Sequence, residues 1–353
     1  MSHDPIPFGF DLNIGGTHSG GPPRGYYSPY KDVPLLENMG KGEYVTDRLS
    51  REACQFIYAN QGRPWALYLT HFAVHTPLHP KKDLLQKYGE KPAGKLHSHV
   101  PMATMIQAVD DGVGLIMATL KELDLVDNTV IFFTSDNGGY GPATDMSPLK
   151  GYKGCYYEGG IRVPFFVNWP GKVQPASTSE EPITAVDIYP TFCEIAGANL
   201  PGNQVQDGKS LVPLLLGERT TFNGDDKEAR AVFWHFPAYL QSYGTIIDEQ
   251  RDPLFRTRPC SIIRRGDWKL HQYFEDGGLE LYNLSDDVGE SQNVAEKFPE
   301  RTQKMIRELK AWQQEIGADI PGEANSEFDA AVESEAISKI RKQVKRKQEK
   351  SKR

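Results

Sequence analysis

The run Ser135-Asp136-Asn137-Gly138-Gly139 follows a strand-like apolar stretch, VIFFT. Asp136 offers a carboxylate and Asn137 an amide carbonyl. Both are hard oxygen donors, which suit calcium or magnesium better than a soft metal. The two glycines let the backbone turn sharply beside an ion. Asp-Asn-Gly-Gly is also good turn chemistry without any metal, so the turn alone leaves both readings open. If 129–135 is a strand, Asp136 stands at its carboxyl end, where open α/β sheets bind ligands.

Two further segments carry usable chemistry. In Leu149-Lys150-Gly151-Tyr152-Lys153-Gly154, the glycines on either side of Lys153 would let its ammonium approach an anion as a compact point charge. The alternative is a surface lysine in a loop. In His71-Phe72-Ala73-Val74-His75-Thr76-Pro77-Leu78-His79, three histidines follow an apolar run. Such a cluster suggests metal ligation or acid/base work, with one of the three functional. His235, in FWHFPAYLQ, either lines a cleft or packs beside Trp234.

Periodic segments must position these groups. Thr46 can cap a helix to about Asn60, with Leu49, Ala53, Phe56 and Ile57 on one face. Residues 65–71, WALYLTH, read as a strand buried on both faces, as in a parallel sheet. Residues 101–124 carry a helical apolar period through Met105, Val109, Val113, Ile116, Leu120 and Leu123. Strands are expected at 129–135 and 162–169, and a helix at 183–197. The alternation predicts an α/β fold, a mostly parallel sheet sandwiched by helices. After residue 230, AVFWHF, CSIIRRGDWKLHQYF and LELYNL are strands with no helix between them. They predict a small antiparallel sheet, followed by a helix at 297–316. The expected division is 1–225, an α/β domain; 226–320, a small α+β subdomain; and 321–353, a charged tail read as a solvated helix or disordered segment.

Composition narrows the classes. The chain has 353 residues, 39% of them hydrophobic, which is enough to build a core. Its net charge of −7 argues against a nucleic-acid partner. No apolar run is long enough to span a bilayer, and the first residues lack the pattern of a signal peptide. Cys54, Cys155, Cys193 and Cys260 form no CxxC pair, so a zinc ribbon or redox motif is not expected. Cys54 and Cys193 read as core residues, and the disulfide state stays open.

Taken together, TSDNGG, LKGYKGxxYEGGIRVP, the WPG turn at 169–171 and DIYPTFCEIAG at 187–197 resemble the sulfatase family of the alkaline-phosphatase-like superfamily. GFDLNIGG, RRGDWKL and ELYNLSDDVGE are similar to arylsulfatase and N-acetylgalactosamine-6-sulfatase-like members. The resemblance implies a sulfuric ester hydrolase acting on an aryl or carbohydrate sulfate. It places Asp136 and Asn137 on ligands of one Ca2+ ion, and Lys153 and His75 on residues that contact the sulfate. It gives no role to Lys150, His71 or His79. It also implies export to the periplasm or outside the cell. Other readings are a pseudoenzyme or glycan-binding remnant, or a phosphodiesterase or phosphonate hydrolase of the same superfamily.

The family's formylglycine arises from Cys or Ser in a C/S-x-P-x-R motif, and none of the four cysteines, nor any serine, fits it. Cys260 has Arg264 at the right offset but Ile262 in place of proline. A first strand with paired aspartates and a GKWHLG-like segment also find no counterpart. Asp110-Asp111 lies inside an amphipathic helix and is read as a decoy. The expectation is a chain lacking the N-terminal part of a sulfatase, with an incomplete calcium site and no activity of its own.

Overall fold

The computed structural model describes residues 4–30, 33–36, 40–224, 228–243, 251, 253–323 and 325–351. They fall into two compact units, Met1–Val130 and Ile131–Arg353.

The first unit is built on three helices: α1 (Val45–Asn60), α2 (Leu85–Glu90) and α3 (Val100–Glu122). In α1 the buried apolar side chains Val45, Leu49, Ala53 and Ile57 recur every fourth residue, which makes one stripe. That stripe packs against α3, whose buried face holds Met102, Met105, Ala108 and Leu120. The His99 imidazole caps α3 by accepting the Met102 N–H at 3.1 Å. Asp110 and Asp111 lie inside α3, as the periodicity requires. The long opening loop completes this core with Tyr26, Tyr30, Val33, Leu36 and Tyr44.

Residues 65–71 correct one expectation. They run extended but form no strand, because a ladder needs a neighbour and no described segment pairs with them. Trp65, Leu67 and Leu69 are partly buried, whereas Ala66, Tyr68 and Thr70 are exposed. The pleat is therefore present and only one of its faces is covered.

The second unit begins with β1 (Ile131–Thr134) and β2 (Phe165–Asn168), a two-stranded antiparallel sheet. A parallel pairing was expected. The intervening connection, residues 135–164, is long enough for a parallel crossover but its helix is the four-residue α4 (Glu158–Ile161), too short to pack across a sheet as a crossover helix usually does. Both strands are shorter than predicted. Pro164, which lacks an N–H, precedes β2 and cannot donate to the ladder. Among the described residues every strand ladder is antiparallel.

A 3-10 turn, Ala185–Asp187, leads into α5 (Ile188–Ile195), and α6 (Val212–Leu215) follows. The remaining strands are β3 (Ala231–Phe236), β4 (Leu240–Gln241), β5 (Phe255–Thr257), β6 (Cys260–Arg265), β7 (Trp268–Tyr273) and β8 (Leu279–Asn283). Four of them form the expected antiparallel sheet, in the order β3-β6-β7-β8. Helix α7 (Pro299–Glu315) covers it. Met305, Ile306 and Leu309 pack on Ile263, Leu270 and Leu281, and Trp312 stacks on Phe233 at 4.7 Å. The tail forms α8 (Ala330–Ser351), held near its start by an ion pair between Glu333 and Arg258 at 2.7 Å.

Candidate functional site

β1 delivers Asp136 and Asn137 to its carboxyl end. Asp136 is exposed, and its carboxylate makes no hydrogen bond or ion pair among the described residues. The Ser135 hydroxyl donates to the Asn137 carbonyl at 3.1 Å, which tightens the turn.

The next two residues tie this turn to the lysine loop. Gly138 donates its N–H to Gly160 O at 2.9 Å, and Lys153 donates its N–H to Gly139 O at 2.9 Å. A Cβ on Gly138 would overlap the Gly159 carbonyl, so the two backbones meet at a distance only glycine permits. Gly154 has φ +95°, a left-handed conformation that favours glycine. It turns the chain immediately after Lys153. The Lys153 carbonyl accepts from Tyr243 OH at 3.0 Å and from Arg256 Nη1 at 3.3 Å. The structure thus brings Asp136, Asn137 and Lys153 to one end of β1.

His75 belongs to the first unit, where it is exposed. Its carbonyl accepts the Tyr26 hydroxyl at 2.7 Å, and that hydroxyl also bonds the Phe72 carbonyl at 2.7 Å. The backbone of the histidine loop is therefore pinned while the His75 imidazole stays accessible. Its Nδ1 lies 3.0 Å from Thr76 O. His79 Nδ1 faces the Tyr26 N–H at 3.5 Å, a packing role. His71 is shut in: its Nδ1 has no partner among the described residues, and burial lowers its pKa to about 4. It is held neutral.

His235 takes the packed alternative. Nδ1 meets Ser261 Oγ at 2.8 Å and Nε2 meets Asp319 O at 3.1 Å, so both ring nitrogens are occupied. Lys150 sits 4.0 Å from the Tyr157 ring centroid, a cation–π contact that explains it structurally. Asp187 is fully buried. Its carboxylate takes the Thr184 and Lys209 N–H groups, each at 2.8 Å, and a bidentate Arg230 at 2.6 and 2.7 Å. Asp187 is thus the anchor of α5. None of the four cysteines is in a disulfide; Cys54, Cys155 and Cys260 are buried and Cys193 is partly so.

The oxygen donors of Asp136 and Asn137 fit a hard divalent cation in type. In number they supply two of the six to eight oxygens that calcium takes. Among the described residues there is no group of three or more His, Cys, Asp or Glu side chains placed to hold a metal ion.

Sequence reasoning missed a buried charge cluster behind the lysine loop: Glu158, Lys269, His271 and Glu290. A signal existed. Lys269, His271 and Tyr273 alternate along β7 and so share one face, which reads as a solvent face in a strand of this pattern. Tertiary packing buries it.

Comparison with known proteins decides the family. The family model for sulfatases matches residues 9–198. The chain belongs to the sulfatase family. A second family model, the C-terminal region of N-sulphoglucosamine sulphohydrolase, matches residues 152–319 of this sulfatase chain. It is 35% identical over 303 residues to a sulfatase of Formosa agariphila, covering 79% of this chain and 51% of that protein. It is 35% identical over 220 residues to the steryl-sulfatase of Homo sapiens, covering 58% of this chain and 36% of that one. Among solved structures, Ps i-CgsB, crystallised in complex with k-i-k-neocarrahexaose, superposes with a TM-score of 0.64 at 31% identity, over 78% of this chain and 56% of that one. The likeness carries the alkaline-phosphatase-like α/β class of the fold. The chain spans about half the length, or less, of these relatives. No helix among the described residues is long and apolar enough to cross a membrane.

Proposed function

We propose that this sulfatase-family protein is a sulfuric ester hydrolase acting on a sulfated carbohydrate or an aryl sulfate. The observation that carries the reading is the Lys153–Gly139 backbone bond. It sets an ammonium-bearing loop against a turn of free hard-oxygen donors at one strand end. In this reading Lys153 supplies positive charge to the ester's sulfate oxygens, where negative charge gathers as the S–O bond breaks. Asp136 and Asn137 supply two ligands to a calcium ion, which when bound adds charge stabilisation at the same oxygens. His75 takes the role that family resemblance gives it, an imidazole that meets the sulfate and assists proton transfer to the leaving oxygen. The neocarrahexaose held by the 31% identical Ps i-CgsB supports the carbohydrate substrate class. Placement outside the cytoplasm is part of the same proposal, by family analogy.

One observation favours a second reading, binding without turnover. The 353 residues hold no Cys or Ser in a C/S-x-P-x-R setting, so we infer that these residues alone release no sulfate. The test is calorimetric titration of the chain with sulfated and desulfated carrageenan oligosaccharides, alongside sulfate release from both oligosaccharide and aryl sulfate. The expected result is sulfate-dependent binding that Lys153→Ala weakens at least tenfold, without release. Equal affinity for the desulfated sugar sinks the hydrolase-site reading. Sulfate release by the pure chain sinks the binding-only one.

A further inference from the structure

Glu158, at the head of α4, is fully buried, and its Oε1 lies 2.9 Å from Lys269 Nζ on β7. Lys269 is equally buried and stands 3.0 Å from Glu290 Oε1. Glu290 closes the circuit by accepting the Glu158 N–H on Oε2 at 2.5 Å. Arg264 Nη1 reaches Glu158 Oε2 at 3.4 Å, and His271 Nε2 lies 3.4 Å from Glu290 Oε1. Burial pushes His271 below the usual imidazole range against the pull of Glu290. It stays neutral, and the two carboxylates are balanced by Lys269 and Arg264.

Buried ion networks of this kind are poor sources of net stability, since well-packed apolar residues often serve as well. Register is what they can supply. Glu290 holds φ +49°, a left-handed conformation that is costly without glycine. The fold keeps this residue where its carboxylate meets the Glu158 amide.

The segment 158–160 carries the candidate site on both sides. Gly159 donates to Lys150 O at 2.8 Å, the first residue of the Lys150–Gly154 loop. Gly160 O receives the Gly138 N–H, from the turn that bears Asp136 and Asn137. A slip of this segment would move both the lysine loop and the metal turn.

We propose that Lys269 and Glu290 are positioning residues for the site: by holding Glu158 they set the register of 158–160, and through it the placement of Lys153 and of Asp136–Asn137. The ligand-binding part of this proposal rests on the function proposed above; the positioning part does not.

The experiment uses the whole chain as Lys269→Met and, as a milder change, Glu290→Gln. Amide hydrogen exchange is followed at Gly138, Lys153 and Gly159, with amides of α1 and α7 as internal references. The expected result is at least a tenfold loss of protection at the three site amides in Lys269→Met and a smaller loss in Glu290→Gln, with the references retained. Affinity for a sulfated oligosaccharide falls in parallel. Unchanged site amides in both variants overturn the proposal, and so does an equal loss across site and reference amides. Loosened site amides in a protein whose wild type binds no sulfated sugar would leave positioning standing and remove the sulfate reading.

Discussion

Gly138 donates its N–H to the Gly160 carbonyl at 2.9 Å, and this bond joins the turn after β1 to α4. The approach leaves no room for a side chain, because a Cβ on Gly138 would meet the Gly159 carbonyl rather than a flexible side-chain tip. Gly138→Ala is therefore expected to destabilise the second unit by about 2 kcal/mol or more, since a rigid backbone must yield. Gly114→Ala is the contrast. Gly114 lies within α3 with nothing near its would-be Cβ, and removing a helical glycine should stabilise by about 0.5–1 kcal/mol. Urea unfolding of both variants measures the difference.

Asp136 is exposed and makes no protein contact among the described residues. Asp136→Ala should change unfolding free energy by less than about 0.5 kcal/mol, as surface substitutions usually do. If the carboxylate is a calcium ligand, the same variant should lose Ca2+-competed terbium luminescence. A large stability change with unaltered luminescence would make Asp136 a turn residue and nothing more.

Asp187 offers the opposite profile. Asp187→Ala would leave Arg230, now about 10% exposed, without its carboxylate. It would also free the Thr184 and Lys209 amides. Breaking one side of a buried pair costs about 3–5 kcal/mol. The expected outcome is a strongly lowered denaturation midpoint, with helix content near α5 reduced in amide exchange.

His71 makes stability depend on pH. Its folded pKa is about 4 against an ordinary 6.5, because burial disfavours the imidazolium. Between those values the unfolded chain binds more protons than the folded one. Stability should therefore be fully present above pH 6.5 and fall as pH drops toward 4, by at most roughly 3 kcal/mol. His71→Leu should flatten that part of the melting-temperature profile. The Glu290 carboxylate acts lower down. Its burial is outweighed by Lys269, His271 and the Glu158 amide, and its pKa is held at about 2. Its contribution is lost only as pH falls from about 4.5 toward that value.

Much of this structure was legible in the residues. The apolar stripes of α1, α3 and α7 follow the helical period, and the strands of the C-terminal sheet follow turn chemistry and alternation. The candidate site was legible as motifs, because Asp136, Asn137 and Lys153 sit in segments whose backbone chemistry is local. His75 was one of three histidines in its segment, and burial sets only His71 apart. The His71 Nδ1 is enclosed, whereas His75 and His79 are both exposed, His79 beside Tyr26.

What the sequence by itself determined was the long helices α1, α3 and α7, the strands of the C-terminal sheet and the family, since these rest on patterns within a few turns of chain and on short motifs. Tertiary structure decided the rest. It left 65–71 without a ladder and set β1 against β2 in antiparallel register. It buried Lys269 and His271 on what reads as a solvent face, and it tied Lys153 to Gly139. Each of these depends on a partner distant in the chain, or on the lack of one. A residue's own type cannot say whether its neighbour in space will be water, a strand or a carboxylate.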